Sequence, residues 1–410
     1  MPPQPVPHGQ PPLKPPPKPN ADPAGTRTNA PTDAFAGPWL WRYRLAGDSL
    51  RPLAAAAARD RATLWLAVAG RNGSGAVAPT LLRFTDAAGS RPHDFNQQLR
   101  SGGELSGDYP LAKMTGGPAG GIQSVVALAP LNGSRVLLFM TGPATRLLSA
   151  RFDPDTGKLD GLAPVAPGGE PLSGVTVAVA PDGAIAVTGL GEARHLIAWY
   201  SPEGKLLTQA WLDLQGCSRG GDGAVLGSAA AAGNVLSLLV RVENCSASRG
   251  LSGGGLRILR LHPGSELQSV AAYPDARDGQ LVMAGRGPLV VLRQQDDWRV
   301  LDASGGALVS VDRALASQYL RGEARIAAAV PGARNRAWLA ENLESGAWLA
   351  QLDEAGLLAT ESLMPTARGA GDPLLAAGGN RLYLIAPLSV QRPDGTDQPA
   401  FDIFAYLDNN

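Results

Sequence analysis

The chain is short of the residues from which active sites and cross-linked folds are usually built. Of its 410 residues two are cysteine and four are histidine, and aromatic residues make up 5%. Two cysteines without a matching His or Cys pair make a poor structural zinc site. Neither sign of charge prevails: Lys+Arg and Asp+Glu both number 36, which removes any electrostatic case for nucleic acid or an anionic membrane as partner. No apolar run reaches the roughly 18 residues of a spanning helix. No apolar leader segment follows Met1. A nucleophile elbow, a P-loop, an HExxH helix and a dinucleotide fingerprint are all missing. The Gly-rich runs at 116–121 and 253–255 open no helix, so they cradle no phosphate. The alternating Asp/Asn ligands of a calcium loop are missing as well.

Present in quantity are 51 glycines and 35 prolines. Residues 1–36 form a Pro-rich tail, too poor in apolar side chains to fold and suited to an extended spacer or tether. The remainder, 37–410, repeats one phrase: apolar strand, tight Gly turn, second strand. The turn glycines Gly157, Gly204, Gly264, Gly305 and Gly356 recur at roughly 40–60 residues, the period of a repeat architecture. From Pro38 onward the strands come in fours, here termed A to D. The third unit is the clearest: Val175-TVAVA, then Ala184-IAVTG, His195-LIAWY and Lys205-LLTQAWL. In the fifth unit a tight turn at Gly305 joins Trp298-RVLD to Ala307-LVSV. The first unit lacks a well-marked fourth strand, and the last ends one strand short. Trp39-LWRYRL supplies a candidate, with Trp39, Trp41, Tyr43 and Leu45 alternating onto one face. The expected fold is therefore all-β: a seven-bladed β-propeller of four-stranded antiparallel blades, whose N-terminal strand closes the last blade and protects its edge.

The segment Phe152-DPDTGKLDGLAPV followed by Val175-TVAVAPDGAIAVTG resembles the repeats of lactonase-type and YVTN/NHL-type propellers, which write DPDTGKL at the C–D turn and PDG at the A–B turn. The likeness is good over 148–212 and faint elsewhere. It implies a propeller and, as one activity, hydrolysis at the mouth of the central channel. The histidine that lactonase-like relatives carry before an A strand is replaced here by Glu170-PLSG. WD40 and kelch signatures are absent.

Loop lengths point to one working face. A–B and C–D turns read as tight, whereas the D–A and B–C connections, at 71–79, 90–121, 214–221, 243–255, 364–372 and 389–400, read as long and share one side of the disc. Cys217 and Cys245 fall in two such loops of the fourth unit, where a disulfide would order a Ser/Gly-rich segment. A disulfide suits an exported protein, periplasmic or at the cell surface, with a cytoplasmic location as the alternative. Four acids stand close to the starts of A strands, Asp222, Asp278, Glu323 and Asp372, around the channel mouth. They form a candidate axial cation site, for Ca²⁺, or they pair with Arg219, Arg277, Arg325 and Arg368 nearby. Of the histidines, His8 is in the tail, His93 in a long loop, His262 in a C–D turn, and His195 opens a C strand. Six strand tryptophans, Trp41, Trp65, Trp199, Trp298, Trp338 and Trp348, read as core between blades. The expectation is a non-catalytic binding or scaffold module of a cell-envelope assembly, with no cofactor and another protein as partner. The alternative is a lactonase-like or metal-dependent hydrolase.

Overall fold

The computed structural model describes residues 39–408, apart from 72–76, 87–102, 115–120, 192–193, 213–224, 232–234, 243–254, 263–267, 274–275, 285–286, 295–296, 303–312, 316, 321–324 and 365–370. Seven four-stranded antiparallel sheets surround a central axis. Blade 1 holds Arg51–Ala57, Thr63–Arg71, Val77–Asp86 and Gly103–Pro110 as strands A to D. Blade 2 holds Ser124–Pro130, Val136–Thr141, Leu147–Asp153 and Lys158–Pro164. Blade 3 holds Ser173–Val179, Ile185–Leu190, His195–Tyr200 and Leu206–Leu212. Blade 4 holds Val225–Ala231, Val235–Val242, Gly255–Leu261 and Gln268–Tyr273. Blade 5 holds Ala276–Ala284, Gly287–Gln294, Asp297–Asp302 and Arg313–Ala314. Blade 6 holds Ala328–Pro331, Ala337–Leu343, Gly346–Leu352 and Leu358–Met364. Blade 7 takes Leu374–Gly378, Arg381–Gln391 and Asp397–Leu407 from the end of the chain and Trp39–Ala46 from its beginning. The A strands touch their neighbours all the way round, so they line the axis.

Burial follows distance from that axis. Strands B and C are sandwiched between neighbouring blades, and His195–Tyr200 and Gly346–Leu352 are buried at every position. Such strands show near-continuous apolar runs rather than alternation. D strands form the rim, and Lys158–Pro164 is exposed at nearly every residue. The core is divided into clusters between adjacent blades; Trp65 and Phe152, for example, join blades 1 and 2 edge to face at 5.6 Å. Trp41, Trp65, Trp199, Trp298 and Trp348 are buried there as expected. Trp338 is only half-buried and donates its indole N–H to Asp408 at 2.8 Å.

Four expectations change. The segment 90–121 is not one loop: it contains strand D of blade 1, Gly103–Pro110, and a helical turn, Leu111–Met114. Residues 87–102 therefore fall between strands C and D in the chain rather than in a D–A connection, and lie outside the described residues. That strand, GELSGDYP, escaped notice because a rim strand needs little apolar surface. In blade 5, Val300 pairs with Arg313, which places Arg313–Ala314 in strand D, while Ala307-LVSV lies outside the described residues. The later register brings Leu315 and Leu320 into the core between blades 5 and 6. Trp39 does not share a face with Trp41, because a bulge between them turns Trp39 toward Phe404 and the blade 6 side, while Trp41 and Tyr43 pack on Phe84 of blade 1. Finally, 389–400 is no loose loop: strands B and C of blade 7 run 11 residues each and stay paired to Gln391↔Asp397. The tail 1–36 lies outside the described residues.

Candidate functional site

At the D–A/B–C end of the channel the chain gathers charge between blades 5, 6 and 7. Arg325 precedes strand A of blade 6 and holds both oxygens of Asp372, which precedes strand A of blade 7, at 2.5 Å. Both residues are more than half exposed. The hydrogen bond to Asp372 is the largest cause raising the Arg325 pKa, and Glu341 and Asp278 add their fields. Asp278 lies in strand A of blade 5 and accepts the Gly279 N–H at 2.8 Å. Asp372 thus pairs with Arg325, an arginine from the start of the preceding blade, while Arg368, its neighbour in sequence, lies outside the described residues. Asp222 and Glu323, the other two members of the expected ring, lie outside the described residues. Among the described residues no three His, Cys, Asp or Glu side chains are placed to hold a metal.

Glu341 belongs to this cluster and was missed from sequence. It lies in strand B of blade 6, two residues beyond Leu339, and so shares the face that packs toward blade 5. The residue is 5% exposed, and its Oε2 has no hydrogen-bond partner. Burial pushes its carboxyl up to about 7; the charge of Asp372 adds to the rise and Arg325 opposes it. A carboxyl that titrates near neutrality can accept and return a proton. The only sequence signal was one acid within the otherwise apolar AWLAENL.

His195 opens strand C of blade 3 and is 2% exposed, with Nδ1 unpartnered. Burial lowers its pKa to about 4, so it is a neutral core residue at physiological pH. Nearby on the same face, Arg194 stacks over Trp211 at 4.6 Å and pairs with Glu170 at 3.6 Å. Glu170 is therefore an ion-pair partner here. His262 follows strand C of blade 4 at the opposite end. His8, His93, Cys217 and Cys245 lie outside the described residues; the two cysteines belong to the D–A connection before blade 4 and the B–C connection within it.

The other end of the channel holds what the tight turns gave no reason to expect. A cavity of about 570 Å³ lies at the A–B end of the axis, walled by A strands of six blades and rimmed by A–B turns. Its walls are mostly Ala, Val, Leu and backbone, as the crowding of seven sheets around an axis demands. Its charged lining residues are Arg59, Arg334, Arg336 and Asp408. A–B turns are short, yet together they rim a funnel.

On the face with the D–A connections, the paired hairpin of blade 7 extends beyond strands A and D of its own blade. Strand A is paired only as far as Ile385 and strand D only as far as Ala400, while the hairpin ladder continues to Gln391 and Asp397. Its tip is ordered by local bonds: Asp394 accepts from the Thr396 backbone at 2.9 Å and hydroxyl at 2.6 Å, and Gln391 donates to the Gly395 carbonyl at 3.2 Å. Gly395, at φ 83°, occupies a left-handed position that favours glycine. Arg392 pairs with Asp48 in the D–A connection that follows strand D of this blade.

No family model matches the chain, and no curated protein matches it. Among solved structures it is similar to one from a structural and mechanistic study of two prolyl endopeptidases, at 12% identity and a TM-score of 0.49, covering 91% of this chain and 51% of that one. It is also similar to a puromycin hydrolase structure, at 17% identity and a TM-score of 0.49, covering 83% of this chain and 51% of that one. The chain thus spans about half the length of these solved structures.

Proposed function

We propose that this propeller is a non-catalytic protein-binding module that meets its partner with the D–A/B–C face, within a larger assembly of the cell envelope or surface. The observation that carries the reading is the blade 7 hairpin. A two-stranded ribbon whose tip is ordered by Asp394, Gln391 and the Arg392–Asp48 pair presents backbone and side chains in a fixed geometry. A preorganised element loses little entropy on docking, which is where affinity is gained most cheaply. The residues 392–397 are largely exposed and carry both signs of charge, as recognition rims do. The tail 1–36 would serve as tether: strand D of blade 7 starts at Trp39 opposite Tyr406, at the end of the blade away from this face.

The test places a photo-crosslinking residue at Asp397 on the hairpin, and separately at Glu354 in the C–D turn of blade 6, in the native source. One defined adduct from position 397, absent from position 354, is the expected result. Equal labelling from both positions, or none from 397, ends the reading.

A second reading, hydrolysis at the D–A/B–C channel mouth of a lactonase-like or metal-dependent kind, is favoured by one observation: Glu341, buried and titrating near neutrality beside Arg325 and Asp372. Lactone or ester turnover abolished by Glu341→Gln would establish it. Stoichiometric Ca²⁺ by elemental analysis, lost in an Asp278→Asn/Asp372→Asn variant, would establish the axial cation.

A further inference from the structure

The cavity at the A–B end lies on the face away from the hairpin, and its charge is out of balance. Three of its four charged lining residues are arginines. Arg59 leaves the A–B turn of blade 1, passes blade 2 and donates to the Pro181 carbonyl in the A–B turn of blade 3. Its guanidinium fits there because residue 183 is glycine, where a side chain would collide with Nη1. Arg336 donates to Gln351 Oε1 at 3.1 Å. Both acceptors are neutral. Arg334 is exposed and has no ion-pair partner among the described residues. It and Asn335 follow one another in left-handed backbone, at φ 52° and 60°. Two consecutive non-glycine residues in that region are uncommon, and such backbone strain clusters at ligand clamps. The turn is held in that state from both sides: Gly332 N–H donates to the Arg336 carbonyl at 2.8 Å, and Ala333 N–H donates to Asp408 at 2.7 Å.

Among these arginines, Arg336 alone acts on Asp408. It is 5% exposed, and its two oxygens accept from Ala333 N–H and the Trp338 indole. Burial raises its pKa and Arg336 opposes the rise, so Asp408 offsets part of the Arg336 charge and leaves those of Arg59 and Arg334. Two other acids stand in the rim turns. Asp60 lies 3.9 Å from Arg61, and Asp182 accepts the Ala184 N–H at 3.0 Å. What remains is an Ala/Val-walled funnel with uncompensated guanidinium groups at its opening. Its volume of about 570 Å³ falls within the range of small-molecule sites.

We propose that the A–B end of the channel binds a small molecule with a carboxylate or phosphate head and an apolar body. The body fills the shaft between the A strands. The head takes charge-assisted hydrogen bonds from Arg59 and Arg334, and Arg59 exchanges the neutral Pro181 carbonyl for the anion. Planar guanidinium groups suit both oxyanions, and such bonds are stronger than those to a carbonyl.

Titration calorimetry on the full chain at fixed ionic strength, with octanoate, octyl phosphate and uncharged octanamide as probes, tests this directly. One saturable site for octanoate or octyl phosphate, and none for octanamide, is expected; the tighter of the two identifies the head group. Arg59→Ala and Arg334→Gln should each weaken binding about tenfold or more. Arg151→Ala, on the outer part of blade 2 and paired with Asp160, should leave it unchanged. Because Arg334 is exposed, its variant should keep the parent melting temperature, which separates lost binding from lost fold. No saturation by either anion, equal binding of octanamide, or undiminished binding in the double Arg59→Ala/Arg334→Gln variant overturns the proposal. None of these outcomes bears on the hairpin face.

Discussion

Blade 7 and blade 5 solve the same problem with opposite means. Blade 7 joins strands that are farthest apart in the chain. Its strand D must be recruited across a loop-closure cost that continuous blades do not meet in this form. It is correspondingly over-built. Arg42 and Arg44 both engage Asp402, which is fully buried, and Arg44 does so through two bonds at 2.7 and 2.8 Å. That bonding raises the Arg44 pKa. Trp41 is 1% exposed and packs on Tyr383 and Phe84. Asp86, at the end of strand C of blade 1, accepts from the Trp41 indole at 2.7 Å and from Arg381 Nε at 2.8 Å, tying blade 1 to two strands of blade 7. In blade 5, with four consecutive strands, the described residues of strand D are Arg313–Ala314. Its outer segment leans on blade 6 instead: Glu361 accepts from the Ser317 hydroxyl at 2.6 Å, from the Gln318 N–H at 2.9 Å and from the Trp348 indole at 3.0 Å. Where chain connectivity holds strands together, side chains can be few; where it does not, they must be many.

The sharpest way to break this contrast is Trp41→Ala. Removing a fully buried tryptophan at the closure should cost about 4 kcal/mol, read as a loss in urea-unfolding free energy. A loss under about 1 kcal/mol would mean that the ring does not depend on its seam. Next in size is a pH effect. Glu341, raised to about 7 on the blade 6 face toward blade 5, is protonated in the folded chain and ionised in the unfolded one between about pH 4.5 and 7. Its contribution is fully present below that window and is lost as pH rises through it, by about 3 kcal/mol. His195, lowered to about 4, works in reverse: stability falls as pH drops from about 6.5 to 4. The two slopes oppose each other across one window, so the parent should vary little with pH. Glu341→Gln should expose a stability that rises with pH, and His195→Gln one that falls with it. Identical pH profiles for both variants would refute the assignment. A smaller loss, about 2 kcal/mol, is expected for Leu315→Ala, which empties a pocket beside strand D of blade 5. Smallest is Arg392→Ala at the hairpin tip, an exposed pair whose loss should change stability by less than about 0.5 kcal/mol. A larger effect there would make the tip part of the seam rather than a free surface.

Much of this architecture was legible in the residues, and the reason is local. Pro181-Asp182-Gly183, Glu203-Gly204 and Ala355-Gly356 mark turns whose left-handed glycines are observed, at φ 93°, 78° and 76°. Doubly covered B and C strands announce themselves as apolar runs. The closure was legible because Trp39-LWRYRL is too apolar to lie free, though its bulge was not, since nothing in the side chains says where one extra residue will be absorbed. Strand D of blade 1 and strand D of blade 5 were obscured because rim strands carry ordinary polar residues. The site was read less well. Asp372 and Arg325 were in view, but Glu341 depends on burial that only the neighbouring blade confers. The funnel is built from alanines and turn backbone, and no residue type advertises an empty volume.

The Trp39↔Tyr406 pairing has a consequence for how the molecule could be rewired. Trp39 and Leu407 lie at the same end of one sheet, so a short peptide joining them in place of residues 1–38 would make the ring covalently endless. New ends could then be opened at an exposed turn such as Asp353–Gly356, with every hydrogen-bonded ladder preserved. In such a permuted chain the interlocking duty would pass to a different blade. Asp402 and its two arginines would become ordinary neighbours, free to be replaced.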